Sequence, residues 1–138
     1  MAEVFAGFVV GYALALLLTP LAAIALVRSN RRSGFAQRVA PPGTSIIALS
    51  VVIHFAAIIM LTALGLVLGM ALGGIESRRP DGGLGSPNLV YTLIVLALAA
   101  VLAIPTLVVP AVRRYALIAA VAFAVAFGWA MPWLAQLG

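Results

Sequence analysis

The chain has 138 residues, of which 65% are hydrophobic and only 8% are charged, and its mean hydropathy is +1.25. Soluble domains carry about 25% charged residues, so this composition excludes a water-soluble globular protein and predicts one membrane domain over residues 1–138. The formal net charge of +5 does not indicate a nucleic-acid partner, because such a site needs a basic face in water. The absence of cysteine excludes disulfides, thiolate metal ligands and cysteine nucleophiles.

Four apolar segments are long enough to cross a hydrocarbon core about 30 Å thick, which takes ~20 residues of helix. Backbone groups in lipid must bond to one another, and none of these segments alternates as a barrel strand does. The sequence therefore predicts an all-α polytopic membrane protein, a bundle of four transmembrane helices. The predicted spans run from Val4 to Val27, from Ile46 to Leu72, from Leu89 to Val112 and from Tyr115 to Leu134.

The third and fourth spans are separated only by Arg113 and Arg114. Two adjacent arginines at the centre of the bilayer would cost several kcal/mol, and Pro110 interrupts the helical hydrogen-bond pattern just before them. We therefore expect a tight hairpin between spans three and four, with both guanidinium groups at the membrane surface.

All eight basic residues are arginines, and six of them fall in the two loops that would lie on the same side of the membrane. Cytoplasmic loops carry the excess of arginine and lysine, so we expect both termini outside the cytoplasm, in the inner (plasma) membrane of a bacterium. These arginines are expected to contact lipid head groups or a partner protein. They are Arg28, Arg31, Arg32, Arg38, Arg113 and Arg114.

Small residues recur four positions apart in three of the spans, a pattern that lets two helix backbones approach closely. In the expected orientation, the glycines of spans one and two both lie in the outer leaflet, so these spans could form a close antiparallel pair. The same residues could instead bind a neighbouring subunit. The predicted packing residues are Gly7 and Gly11 in span one, Gly65, Gly69 and Gly73 in span two, and Ala120, Ala124 and Gly128 in span four.

His54 is the only histidine and the only ionisable side chain predicted inside a span. At 100° per residue it lies about 20° from Gly65 and about 40° from Ser50 around the helix. We therefore expect this face of span two to pack on other helices. An ionisable residue within the membrane is a functional hypothesis by default.

Four roles for His54 stay open at this point, and a structural hydrogen bond between helices is the one that we expect. A haem ligand would need a second ligand from Met60, Met70, Met131 or another chain. A proton relay would use the imidazole charge change near neutral pH, although no carboxylate lies within a span. A Ser50–His54 nucleophile pair would need an orienting third group, and none is evident in the sequence.

The predicted function is that of a small integral membrane accessory or anchoring subunit of a larger membrane complex, without catalytic activity. Its expected partners are the lipid bilayer and either other membrane subunits or copies of itself. One alternative is a small homo-oligomeric transporter or channel. Another is a haem-bearing membrane anchor of a redox complex, with haem bound through His54 as the one candidate cofactor.

Overall fold

In the part of the chain that it describes, the computed structural model contains helices and short turns but no strands, which confirms the predicted all-α class. It describes residues 1–33, 42–76, 89–104 and 110–137. Four helices occupy these ranges, and a 3₁₀ turn at Pro110–Val112 precedes the last of them. The helices are α1 at Ala2–Ser33, α2 at Ile46–Glu76, α3 at Leu89–Ala103 and α4 at Arg113–Leu137.

Three of the helices are long and apolar enough to cross a membrane, namely α1 over Ala2–Arg28, α2 over Ile46–Ile75 and α4 over Arg113–Leu137. This finding supports the predicted multi-pass membrane protein. Helix α3 is different, since its 15 residues span only about 22 Å, less than the hydrocarbon core.

The third predicted span, Leu89 to Val112, is therefore not one continuous helix. Helix α3 ends at Ala103, two residues before Pro105. A residue that precedes proline is disfavoured in the α conformation, and proline has no N–H to donate to the helical ladder. The fourth membrane crossing and its hairpin stay predictions.

Helix α1 is the central element of the bundle, with α2 and α4 packed against it. Ala6 near the start of α1 and Ala135 near the end of α4 belong to one buried core. At the opposite end, Nη1 of Arg28 donates a hydrogen bond to the Tyr115 hydroxyl at 3.1 Å. Helices α1 and α4 are therefore antiparallel, and the first and last described residues lie at the same end of the bundle.

The core is concentrated at the end of the bundle that holds the two chain ends. Tyr91, Phe123, Phe127 and Met131 are fully buried there, and the ring centroids of Phe123 and Phe127 are 4.8 Å apart. Helix α2 contributes less to burial, since 11% of its most apolar stretch is buried, against 33% in α1 and 28% in α4.

Candidate functional site: the glycine seam and the His54–Thr19 bond

Helices α1 and α2 meet through four glycines, Gly7, Gly11, Gly65 and Gly69, which we call the glycine seam. A Cβ atom added to Gly7 would overlap the carbonyl oxygen of Gly65, and one added to Gly65 would overlap the carbonyl oxygen of Gly7. The atoms in contact are backbone atoms, which cannot rotate away as a side chain can. The two helices are therefore as close as their backbones permit, which is the geometry that small residues allow in membranes.

The seam extends along both helices from this central pair. An added Cβ at Gly11 would overlap the carbonyl oxygen of Leu61, and one at Gly69 would overlap that of Glu3. Antiparallel pairing thus continues over more than two helical turns. The structure brings these four predicted packing residues together within one chain.

The other predicted packing residues have roomier surroundings. A Cβ added to Gly73 would lie 3.6 Å from the Glu3 side chain, and one added to Gly128 would lie 3.6 Å from Cγ1 of Val95. Both distances are ordinary van der Waals contacts. On α4, Ala120 is buried and Ala124 is partly buried against the core.

His54 lies on α2 and hydrogen-bonds to α1. Its Nδ1 is 2.8 Å from Oγ1 of Thr19, and the Thr19 hydroxyl donates to the carbonyl oxygen of Ala15 at 2.7 Å. A threonine hydroxyl carries one proton. Because that proton goes to Ala15, Oγ1 accepts from His54, and the neutral imidazole carries its proton on Nδ1.

This assignment leaves Nε2 of His54 as the nitrogen with a free lone pair when the ring is neutral. Nε2 has no hydrogen-bond partner among the described residues. The imidazole is partly buried and meets the ring of Phe55 edge-on at 5.8 Å between centroids. Nε2 is therefore the atom that a metal-centred cofactor or a second polar group would engage.

Ser50 does not pair with His54 in this structure. Its hydroxyl donates to the carbonyl oxygen of Ile46, one turn earlier in α2, at 2.9 Å. The proposed Ser50–His54 nucleophile pair is thus replaced by a His54–Thr19 pair, in which the hydroxyl proton points at a backbone carbonyl. The sequence reasoning missed Thr19 as the partner of His54.

The arginines at the other end of the bundle are mostly exposed. Arg31, Arg113 and Arg114 face outward, whereas Arg28 donates to Tyr115 and so joins the ends of α1 and α4. Arg38 and the side chain of Arg32 lie outside the described residues.

A second polar contact, between α3 and α4, has no counterpart in the sequence-based predictions. Residues Ala126–Ala130 form a π-helical turn in which the N–H of Met131 donates to the carbonyl oxygen of Ala126. In an α-helix that N–H would bond to Phe127, and Pro132 has no N–H to replace it. The Tyr91 hydroxyl donates to the freed carbonyl oxygen of Phe127 at 2.9 Å.

This contact is fully buried, with Sδ of Met131 3.4 Å from the same Tyr91 hydroxyl. An unpaired carbonyl in an apolar core costs free energy comparable to a lost hydrogen bond. Tyr91 therefore stabilises the π-helical turn and holds α3 at a fixed height on α4. The one sequence signal for it is Pro132, which lies inside an apolar run and must leave a carbonyl without its donor.

Comparison of the chain with protein-family models, with curated proteins and with solved structures finds no match. Within the described residues, no three histidine, aspartate or glutamate side chains group together as metal ligands would.

Proposed function

We propose that this protein is a small, non-catalytic accessory or anchoring subunit of a larger complex in the inner membrane of a bacterium. The observation that carries the proposal is the outward face of α2. Helix α2 is attached to the bundle mainly along one edge, the glycine seam, and large apolar side chains cover the opposite face. Ile59, Met60 and Val67 are 67%, 70% and 55% exposed.

The shape of this face suits another helix. Ala56 and Ala63 are exposed on it and carry only a methyl group each, next to the bulky Ile59 and Met60. Helices in lipid associate by van der Waals packing of small against large side chains, because burial from water offers no driving force between them. The spaces above the two alanines can therefore accept the side chains of a partner helix. A smooth apolar surface offers fewer such contacts.

The polar groups inside the helices also support a structural role. His54 and Thr19 bond to each other, and Tyr91 bonds to a backbone carbonyl. These side chains join helices within the chain, as buried polar groups that are satisfied internally do. A proton or ion path would need a continuous line of polar groups, whereas the His54–Thr19 and Tyr91–Phe127 hydrogen bonds are separate contacts between different helices.

The proposal includes four membrane crossings with both termini outside the cytoplasm. Helix α3 is antiparallel to α4 and starts level with the buried end of α4, through the Tyr91–Phe127 bond. From Tyr91 to Ala103 it rises about 18 Å, and α4 rises about 21 Å from Phe127 to Arg113. Helix α3 therefore ends, at Ala103, at nearly the same height at which α4 begins, at Arg113, which supports a hairpin with its turn at the arginines.

Cross-linking tests the proposed partner face, and the absence of cysteine in the chain makes single-cysteine variants unambiguous. Met60→Cys places a thiol on the outward face of α2, and Val121→Cys places a thiol of similar exposure on α4. After cross-linking in native membranes, mass spectrometry identifies the attached chains. We expect Met60→Cys to trap one membrane protein that also co-purifies at fixed stoichiometry in mild detergent, and Val121→Cys not to trap it.

Two other results would replace this proposal. Cross-links that join only two copies of the chain would favour the homo-oligomeric transporter or channel. A Soret band in the purified wild type that is lost in His54→Gln would favour the haem-bearing anchor, since Nε2 is the atom open to such a ligand. Membranes in which neither cysteine variant is cross-linked would leave α2 facing lipid and would exclude the subunit role.

A further inference from the structure

The bundle has an apolar groove at its arginine-bearing end, which we call the inner groove. Its volume is about 270 Å³. Residues within the stretch 18–22 of α1 form its floor, Ala57 of α2 forms one side, and Tyr115 and Ala119 of α4 form the other. The groove exists because alanines line it where larger side chains would close the gap between α2 and α4.

A groove of this kind is filled when the protein lies in a bilayer. Side chains that face an empty gap lose dispersion contacts, and the groove opens onto the surface of the bundle, where lipid chains are the neighbouring molecules. An acyl chain therefore occupies it without displacing water. The apolar groove selects an acyl chain but no particular head group, because any phospholipid offers such a chain.

The charges at the inner end of the groove decide the head group. Tyr115 forms part of the groove wall, and its hydroxyl accepts a hydrogen bond from Nη1 of Arg28. A guanidinium has five N–H donors, so Arg28 keeps donors for a phosphate. Arg113 and Arg114 are exposed beside Tyr115, whereas Glu3 lies at the opposite end of the bundle. No side chain caps α4 at Val112, which adds the positive end of a helix dipole.

We propose that the inner groove is a binding site for one anionic phospholipid, with an acyl chain against Ala57 and Ala119 and the phosphate at Arg28. Tyr115 links the two parts, since its ring lines the apolar groove and its hydroxyl orients the guanidinium. The site discriminates by head-group charge, because the acyl chain has equally apolar surroundings in the bilayer and in the groove. Binding of this lipid is independent of the accessory-subunit function and would hold for the isolated protein.

Native mass spectrometry tests the site on the full-length protein in nanodiscs of equimolar phosphatidylglycerol and phosphatidylethanolamine. We expect the wild type to retain one phosphatidylglycerol. Arg28→Gln should lower the preference for phosphatidylglycerol at least about tenfold, because it removes a charged hydrogen-bond donor from the phosphate. Arg31→Gln is the matched control, since it removes the same charge from the same helix, and it should leave the preference unchanged.

The apolar part of the site has its own variants. Ala119→Phe fills the groove and should abolish retention of the lipid. Tyr115→Phe keeps the groove wall intact and removes only the hydroxyl that orients Arg28, so it should lower the preference for phosphatidylglycerol. This variant still tests the site if Ala119→Phe does not fold. Equal losses in Arg28→Gln and Arg31→Gln, or no loss in either, would overturn the proposal. A folded Ala119→Phe protein that still retains the lipid would also overturn the proposal. So would a folded Ala119→Phe protein that loses a bound protein chain, because a protein and not a lipid would then occupy the groove.

Discussion

The glycine seam makes a sharp prediction about Gly65→Ala. The added Cβ would overlap the carbonyl oxygen of Gly7 and would lie 2.9 Å from its carbonyl carbon and 3.3 Å from Cα of Gly11. These atoms belong to the backbone of α1, so no rotamer change relieves the overlap. Ordinary contact needs about 3.5–4.0 Å, and the two helices must therefore move apart by roughly 1 Å.

The cost of that movement follows from the contacts that it weakens. A gap of 0.5–1 Å forfeits about a quarter to a half of each dispersion well of 0.1–0.2 kcal/mol. For on the order of 20 heavy-atom pairs across the seam, the loss is about 0.5–2 kcal/mol, which overlaps the usual range of roughly 1–3 kcal/mol for overpacking. The higher helix propensity of alanine opposes this loss by at most about 1 kcal/mol.

Gly74→Ala separates these two effects, because an added Cβ at Gly74 has nothing within 4 Å. It changes helix propensity in the same helix without touching the seam. We expect the free energy of unfolding, measured by SDS titration in mixed micelles, to be about 0.5–2 kcal/mol lower in Gly65→Ala than in Gly74→Ala. A difference below about 0.5 kcal/mol would refute the close backbone contact.

A double variant gives a second check on the same geometry. Gly7 and Gly65 compete for one space, so helices already spread by one added Cβ accommodate the other more easily. Gly7→Ala combined with Gly65→Ala should therefore cost clearly less than the two single variants together, as expected for residues in direct contact. Strict additivity would mean that the two glycines do not meet.

Three further outcomes are expected. His54→Gln should keep the bond to Thr19 and leave stability nearly unchanged, whereas His54→Leu should lose roughly 1 kcal/mol in the same unfolding assay; the reverse order would contradict a structural role. Tyr91→Phe should lose about 1–3 kcal/mol, because the Phe127 carbonyl is left unpaired in the core, and a neutral result would contradict that reasoning. A reporter fused after Gly138 should be active outside the cytoplasm only, and cytoplasmic activity would reverse the proposed orientation.

Much of the α1–α2 arrangement was accessible from the sequence. The spacing of the glycines predicts which helix faces can meet, and antiparallel pairing of Gly7 with Gly65 fixes the register of everything beyond them. Twelve residues on from Gly7 lies Thr19, and eleven residues back from Gly65 lies His54. This register places the two residues at a similar height, but Thr19 lies about 120° from Gly7 around α1, so the glycine pattern alone does not predict their hydrogen bond.

The α3–α4 contact was not accessible in the same way. Pro105 indicates that α3 ends early. Segment length and hydropathy nevertheless predict a continuous span, because neither quantity takes account of the N–H that proline lacks. The π-helical turn at Ala126–Ala130 depends on which carbonyl a neighbouring hydroxyl can reach. The position of Tyr91 in the folded protein determines which carbonyl its hydroxyl reaches, and the periodicity of the local sequence carries no information about that position.

The register of the α1–α2 pair explains why one polar pair is retained among apolar residues. Sliding α2 by one turn would place Leu61 opposite Gly7 in one direction and Gly69 opposite Gly7 in the other. A slide in either direction would also part His54 from Thr19 and leave the imidazole unpaired in an apolar environment, which is costly. A single polar contact that is satisfied in only one register specifies that register, as a lone asparagine does in a coiled coil. We infer that His54 contributes mainly this specificity, since the Thr19 hydroxyl keeps its bond to Ala15 with or without the imidazole.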